Sequence, residues 1–160
     1  MPDPKAIRLR PMTADEFPAF VAASKAGYAS DIEVHGGQSR RAAQEKADAD
    51  FPAVLPQGME TPGHSIFVVE ADGTAVGRLW LAERPLGGRR VLFVYDISIE
   101  PDHQGLGYGR ATMLLAEQEA RAHGIGRIEL NVFGGNDVAR HLYRSLGYVE
   151  TSVQMGKDLG

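Results

Sequence analysis

Ile99-Glu100-Pro101-Asp102-His103-Gln104-Gly105-Leu106-Gly107-Tyr108-Gly109-Arg110 is the stretch on which the reading of this chain turns. It joins an apolar strand pattern, Val91 to Ile99, to a helical pattern that runs to about His123. Alternate glycines at such a junction let the backbone turn tightly and approach a ligand closely. The first N–H groups of the helix that follows have no partner inside it and point outward as donors for an anion. A plain strand-to-helix turn that needs only flexible residues is the competing reading. Three glycines ahead of a well-formed amphipathic helix weigh against it. The Walker A pattern fails, because no Gly-Lys-Ser/Thr is present. The dinucleotide pattern G-x-G-x-x-G fails twice: counted from Gly105 its last position is Arg110, and counted from Gly107 it is Thr112.

Upstream, Val91 to Ile99 alternates, with Phe93, Tyr95, Ile97 and Ile99 on one face and Leu92, Val94, Asp96 and Ser98 on the other. His64 to Glu70 and Ala75 to Glu83 flank an Asp72-Gly73 turn, and Leu86-Gly87-Gly88 leads on to Val91. Together they predict a three-stranded antiparallel meander. Nearer the N-terminus come a strand over Ile7 to Arg10 and a capping box at Thr13-Ala14-Asp15-Glu16. A helix follows from Phe17 to about Ala29, and a second runs from Gln38 to about Phe51, with a loop opening at Pro52.

Downstream of the loop, Ala111, Leu114, Leu115, Gln118 and Ala122 lie on one side of the helix, which Gly124 ends. Arg127 to Val132 reads as a strand. Asn136 N-caps a short helix carrying Val138, Ala139, Leu142, Tyr143 and Leu146, which Gly147 ends, and Tyr148 to about Met155 is a last strand. The order is β-α-α-β-β-β-α-β-α-β, in one domain over residues 1–160. Strands joined through helices make part of the sheet parallel.

Composition narrows the function. The 160 residues are 43% hydrophobic and 24% charged, as in an ordinary globular domain. The absence of cysteine excludes disulfides, thiolate metal sites and a cysteine nucleophile. A net charge of -4 without a Lys/Arg block argues against a nucleic-acid partner. No apolar run is long enough to span a bilayer, and Met1 to Lys5 lacks the apolar stretch of a leader, so a cytoplasmic location is expected. His35, His64, His103, His123 and His141 are scattered without ligand spacing, and no metal is expected.

Gln104-x-x-Gly107-x-Gly109 resembles the Gln/Arg-x-x-Gly-x-Gly/Ala signature of the Gcn5-related N-acetyltransferase (GNAT) family. Asn136-x-x-Ala139-x-x-Leu142-Tyr143-x-x-x-Gly147-Tyr148 is similar to a second segment of that family, and Asp96-Ile97-Ser98-Ile99 to its fourth strand. The resemblance implies an α/β GNAT-like fold with a mixed sheet of six to seven strands and about four helices. It implies a fourth and a fifth strand that splay apart around the pantetheine arm of acetyl-CoA. The main chain of Ile97, Ser98 and Ile99 is then expected to bind pantetheine and polarise the thioester carbonyl. The backbone of Gln104, Gly105, Leu106, Gly107, Tyr108, Gly109 and Arg110 is expected to hold the pyrophosphate.

By the same resemblance Asn136 contacts the pantetheine, a role compatible with its being a plain N-cap. Tyr143 donates a proton to the departing thiolate, although at helical spacing alone it reads as a core aromatic. Asp96 is a candidate general base and equally a structural carboxylate; some relatives carry Glu where this chain has Asn131, which cannot act as a base. The expected activity is acetyl transfer from acetyl-CoA to a primary amine of a small molecule or peptide, by direct attack in a ternary complex. The alternative is a silent acyl-CoA-binding module of the same fold. Tyr28, Asp31, Glu33, His35, Met59, Glu60 and Thr61 fall in the regions that set the acceptor in this family. A homodimer is compatible with the sequence.

Overall fold

A computed structural model of the chain describes residues 6–160. The reading of Met1 to Lys5 as free of a leader lies outside the described residues. The first strand, β1 (Ile7–Pro11), pairs antiparallel with β2 (His64–Ala71). Asp72 and Gly73 both take positive φ, 51° and 79°, the hairpin geometry whose twist matches its strands, and lead into β3 (Thr74–Leu86). Gly87 and Gly88, at 52° and 86°, repeat the device before β4 (Arg89–Ile99). A short fifth strand, β5 (Ile128–Leu130), adds to β4 in parallel, giving the order β1-β2-β3-β4-β5.

The expected meander and parallel addition are present, but among the described residues the sheet has five strands, not six or seven. The expected last strand over Tyr148 to Met155 is absent: residues 149–160 are exposed and unpaired. Alternation in the sequence supplies a strand's side chains; a strand also needs a neighbour for its backbone, and among the described residues none pairs with this segment.

Among the described residues four α-helices cover the sheet. On one face lie α1 (Phe17–His35) and α2 (Arg40–Val54). Here Phe20, Phe51, Leu55, Ile66, Val68 and Trp80 form an aromatic-rich core. The first helix runs past the expected Ala29 because Ala29 and Ile32 are buried against Ala43 and Ala47 of α2. The second continues through Pro52 to Val54, with Leu55 as its C-cap.

On the other face α3 (Tyr108–Ala122) packs on Val69, Val76, Leu79, Leu81, Leu92 and Val94. Its buried side is Ala111, Thr112, Met113, Ala116 and Ala120, and Leu114 points outward, so the expected inward face through Leu114 and Gln118 is rotated. Three alanines let the helix approach the sheet closely. Thr112 is tolerated there because its hydroxyl donates to the Tyr108 carbonyl at 2.7 Å. The last helix, α4 (Asp137–Ser145), buries no residue. Among the described residues no helix is long and apolar enough to cross a membrane.

Candidate active site

The site begins with an irregularity in β4. Trp80 and Leu81 are adjacent in β3, but their partners are Asp96 and Val94, so Tyr95 is an extra residue. Such a bulge bends a strand and breaks its alternation. Val94 and Ile97 pack toward α3, whereas Tyr95 packs with the α1–α2 core and Asp96 bonds to α1. The expectation that Asp96 shares a face with Val94 is therefore overturned. Pairing with β5 stops at Val94–Leu130, at the same bulge, while β4 continues to Ile99. Among the described residues no strand lies against the β4 edge away from β3 from Tyr95 to Ile99, which leaves room there for a slot. A Cβ at Gly77 would collide with the Ser98 carbonyl oxygen, so glycine there lets β3 approach the floor of this slot.

At the end of β4, Gln104 folds back and donates from Nε2 to the Ile99 carbonyl at 2.9 Å. Gly105 and Gly107 take φ of 76° and 87°, a region that penalises side chains. Gly107 is the N-cap of α3 and supplies no side-chain cap. The first bond of the helix runs from Ala111 N–H to Gly107 C=O at 3.1 Å. The N–H groups of Tyr108, Gly109 and Arg110 precede it and have no helical partner. The loop thus presents free donors at a positive helix end beside the slot. Leu106 is exposed beside these donors.

Across the loop stands α4. A Cβ on Gly109 would meet Leu142 Cδ2 at 3.5 Å, and Arg110 donates to Ser145 Oγ at 2.9 Å. Asn136 caps α4, its Oδ1 accepting from Ala139 N–H at 3.2 Å. Tyr143 packs on the same core as Ile97 and Tyr108. Burial holds its phenol above the usual value, and the negative charges of Asp96 and Asp31 push the same way. Among the described residues its hydroxyl makes no hydrogen bond.

The far wall is α1. Ser24, Tyr28, Asp31 and His35 follow one face of it at helical spacing. Ser24 Oγ donates to Asp96 Oδ2 at 2.7 Å, and at the other end His35 stacks on Phe133, ring centroids 6.2 Å apart. Asp31 lies between these two anchors, where α1 spans the gap between β4 and the chain after β5. Desolvation raises the Asp31 carboxyl above its ordinary value; His35 opposes this and Asp96 adds to it.

Asp96 also receives Arg78 Nε at 2.7 Å on the same oxygen as Ser24, which leaves Oδ1 without a partner among the described residues. Sequence reasoning missed both partners: neither Ser24 nor Arg78 is near Asp96 in the chain, and only the register of β3 on β4 brings Arg78 to it.

Two polar side chains of β2 are tied into the packing. His64 is half-buried: Trp80 Nε1 donates to its Nδ1 at 2.9 Å, its ring lies 5.5 Å from that of Tyr95, and burial lowers its pKa. Glu70 is buried and accepts from Arg8 at 2.8 Å and Arg10 at 2.6 Å. Among the described residues no three His, Asp or Glu side chains converge as metal ligands would.

A mixed sheet whose parallel pair ends at a bulge beside a glycine-borne helix N-terminus, with the half-buried Tyr143 packed across the loop, fits an acyltransferase. The chain belongs to the acetyltransferase (GNAT) family, whose model matches residues 32–148. It is 32% identical to an uncharacterised N-acetyltransferase, YycN of Bacillus subtilis, over 96% of this chain and 99% of that one. The crystal structure of YycN superposes with a TM-score of 0.90, covering 96% and 98% of the two chains. The L-amino acid N-acyltransferase MnaT of Escherichia coli is 29% identical over 72% of this chain and 69% of its own. A GCN5-related N-acetyltransferase of Ralstonia eutropha, 18% identical, shares the fold with a TM-score of 0.73 over 96% of this chain and 99% of that one. The family uses acetyl-CoA as cosubstrate and acts on amines.

Proposed function

We propose that this chain transfers the acetyl group of acetyl-CoA to a primary amine by direct attack within a ternary complex. The observation that carries the reading is the meeting of three features at one place: the unpaired β4 edge from Tyr95 to Ile99, the free N–H groups of Tyr108, Gly109 and Arg110, and the half-buried Tyr143 phenol. Residues present fit the cosubstrate. The backbone from Gln104 to Arg110 can hold its pyrophosphate, and the main chain of Ile97, Ser98 and Ile99 can receive the pantetheine amides as a neighbouring strand would.

Acetyl-CoA supplies an activated thioester. The protein's part is to place it, to meet the charge that develops on the carbonyl oxygen with a β4 N–H, and to move protons. A Tyr143 phenol held above its ordinary value keeps its proton at neutral pH, as a donor to a departing thiolate must. Asp96, with Oδ2 fixed by Arg78 and Ser24, offers Oδ1 to the incoming ammonium and is the candidate base. Asp31, whose carboxyl binds a proton more readily than usual, shares that work. Two carboxylates on the acceptor side favour a cationic amine, and the MnaT relative puts amino acids first among the amines to try.

The test is calorimetry followed by turnover. The purified protein is expected to bind acetyl-CoA in preference to NAD or ATP and to release thiol with at least one amine of a panel. Binding of NAD without acetyl-CoA would overturn the reading of the loop. Binding of acetyl-CoA with no thiol released by any amine, at any pH where the fold holds, would remove the enzymatic reading.

A further inference from the structure

We propose that His35 and Phe133 form a latch on the acceptor side of the site, closed in this structure, and that the amine enters when it opens. What the latch admits rests on the acetylation reading; that it opens does not.

Two anchors hold α1 across the gap between β4 and the chain after β5. In the first half of the helix Ser24 donates to Asp96 Oδ2 at 2.7 Å, the oxygen that Arg78 also holds. At its end the His35 ring stacks on Phe133, with centroids 6.2 Å apart and planes at 25°. The first anchor is charge-assisted and tied to two strands. The second is ring on ring, and both rings are half-exposed. Charge-assisted bonds are the stronger kind, so the second anchor gives way first. The charges of Asp31 and Asp96 reach the Tyr143 phenol, so α1, β4 and α4 turn polar groups toward one space, and α1 runs along it from Ser24 to His35.

Glycine pairs follow both rings: Gly36-Gly37 after His35, and Gly134-Gly135 after Phe133. Gly36 is the C-cap of α1, and Gly37 takes φ of 69°. Hinges are a few residues at element ends that absorb a change of backbone angle, and glycine does so most readily. On the facing chain a carbon added at Gly135 would stand 3.1 Å from His35 Nδ1, so glycine there lets the loop close on the ring.

Phe133 packs on Ala29, Ile32, Ala43 and Ala47, which join α1 to α2, and so ties the chain leaving β5 to those helices. Behind it the loop is bound to the start of α4. Asn136 N–H donates to the Phe133 carbonyl at 2.9 Å, and Arg140 to the Gly134 carbonyl at 2.7 Å. A loop that leaves α1 therefore takes the start of α4 with it, and α4 buries no residue that would hold it back. Closing of a lid over bound substrate is a common way to keep water from a reaction.

The chain contains no cysteine, so a pair introduced at His35 and Gly135 reacts alone. Gly135 does not take positive φ, and a side chain suits its backbone. The variant His35→Cys/Gly135→Cys is tied with a short bis-methanethiosulfonate and released by reductant. Tied, it is expected to bind acetyl-CoA as the reduced form does, by calorimetry, and to acetylate the best amine of the panel at least about tenfold more slowly. Opening is read separately, by hydrogen exchange. Phe133→Ala is expected to speed exchange of the Gly36 amide, bonded to the Ile32 carbonyl at 2.9 Å, together with that of Asn136, and to leave the amides from Phe20 to Ser24 as they are. A Gly36 amide that does not respond overturns the proposal. So does a tied protein that acetylates as fast as the reduced one or loses acetyl-CoA, and so does a reduced variant already as slow as the tied one. If the unaltered protein releases no thiol with any amine, the acetylation reading falls, and exchange alone decides whether the latch opens.

Discussion

Two neighbouring helices at the site are held in opposite ways. Along α3, Ala111, Thr112, Met113, Ala116 and Ala120 are buried, and the helix is part of the core. Along α4 nothing is buried, and Val138 is 86% exposed. Polar ties hold it instead: the Asn136 cap, Arg110 to Ser145, Arg140 to the Gly134 carbonyl at 2.7 Å, and Arg140 and Arg144 to Glu150. The difference separates two jobs. The helix proposed to receive phosphate is built into the core, whereas the helix that carries the proposed acid has few buried contacts, the kind of element from which moving parts of binding sites are usually drawn.

The largest expected effect tests this contrast in stability. Met113 is fully buried, and Met113→Ala should cost about 2–5 kcal/mol by loss of contact and an unfilled cavity. Leu142 on α4 is half-exposed, and Leu142→Ala should cost less than half as much. Denaturant unfolding of both variants measures the difference. Equal losses would mean that α4 is as much a part of the core as α3.

Next comes the loop that starts α3. A valine at Gly107 must adopt a φ of 87° and sets a branched carbon beside the free donors. The backbone strain alone is about 1–2 kcal/mol. Acetyl-CoA affinity should fall at least about tenfold, equivalent to about 1.4 kcal/mol. Gly109→Ala is the control, since its added carbon makes only ordinary contact with Leu142. Equal affinity in the two variants would show that the ligand does not approach this backbone.

Tyr143 tests α4 as a functional part. A phenol raised above its usual value is a weaker acid than a thiol of pKa about 8.5, so proton donation is uphill and its help modest. Tyr143→Phe should lower kcat toward the small end of the general-acid range, about 10²-fold, with acetyl-CoA binding unchanged. Turnover like that of the unaltered protein would assign the proton to water.

What could be read from the sequence follows the same division. The loop, the hairpin turn at Asp72-Gly73 and the Asn136 cap are local chemistry, and each is where its residues predicted. The bulge at Tyr95 was hidden because Phe93, Tyr95 and Ile97 alternate without a break; only the match to β3 shows that one residue is extra. For the same reason Asp96 was put on the wrong face and its Arg78 and Ser24 partners went unseen. Val149 to Met155 misled in the reverse sense, since its pattern is that of a strand, yet among the described residues no strand pairs with it.

A smaller effect concerns the start of α4. Asn136→Ala removes the cap to Ala139 N–H and should cost about 1 kcal/mol. If Asn136 also touches pantetheine, acetyl-CoA affinity falls with it. Calorimetry on the variant separates the roles, because a cap alone lowers stability and leaves affinity in place.

The smallest effect lies at the other end of α4 and depends on pH. Hydrogen bonds from Arg140 and Arg144 pull the Glu150 carboxyl below its ordinary 4.5. An acid whose pKa is depressed in the folded state contributes stability that is present above its unfolded pKa and is lost as pH falls through the folded one. The clamp should therefore hold above about pH 4.5 and release below it. Arg10 likewise holds Glu16 down to about 2, so acid weakens the N-terminal side as well, and a global melting curve would mix the two. Hydrogen exchange resolved by residue keeps them apart. Between pH 5 and pH 3.5 the α4 amides should lose protection, after correction for intrinsic exchange, while those of α3 keep theirs. In Glu150→Gln the α4 amides should be less protected already at pH 5 and should change less on acidification. High salt should mimic the variant, because the group is exposed and its ion pairs are screened. If α3 and α4 lose protection together, the two helices form one cooperative unit and the contrast drawn from their burial does not extend to their dynamics.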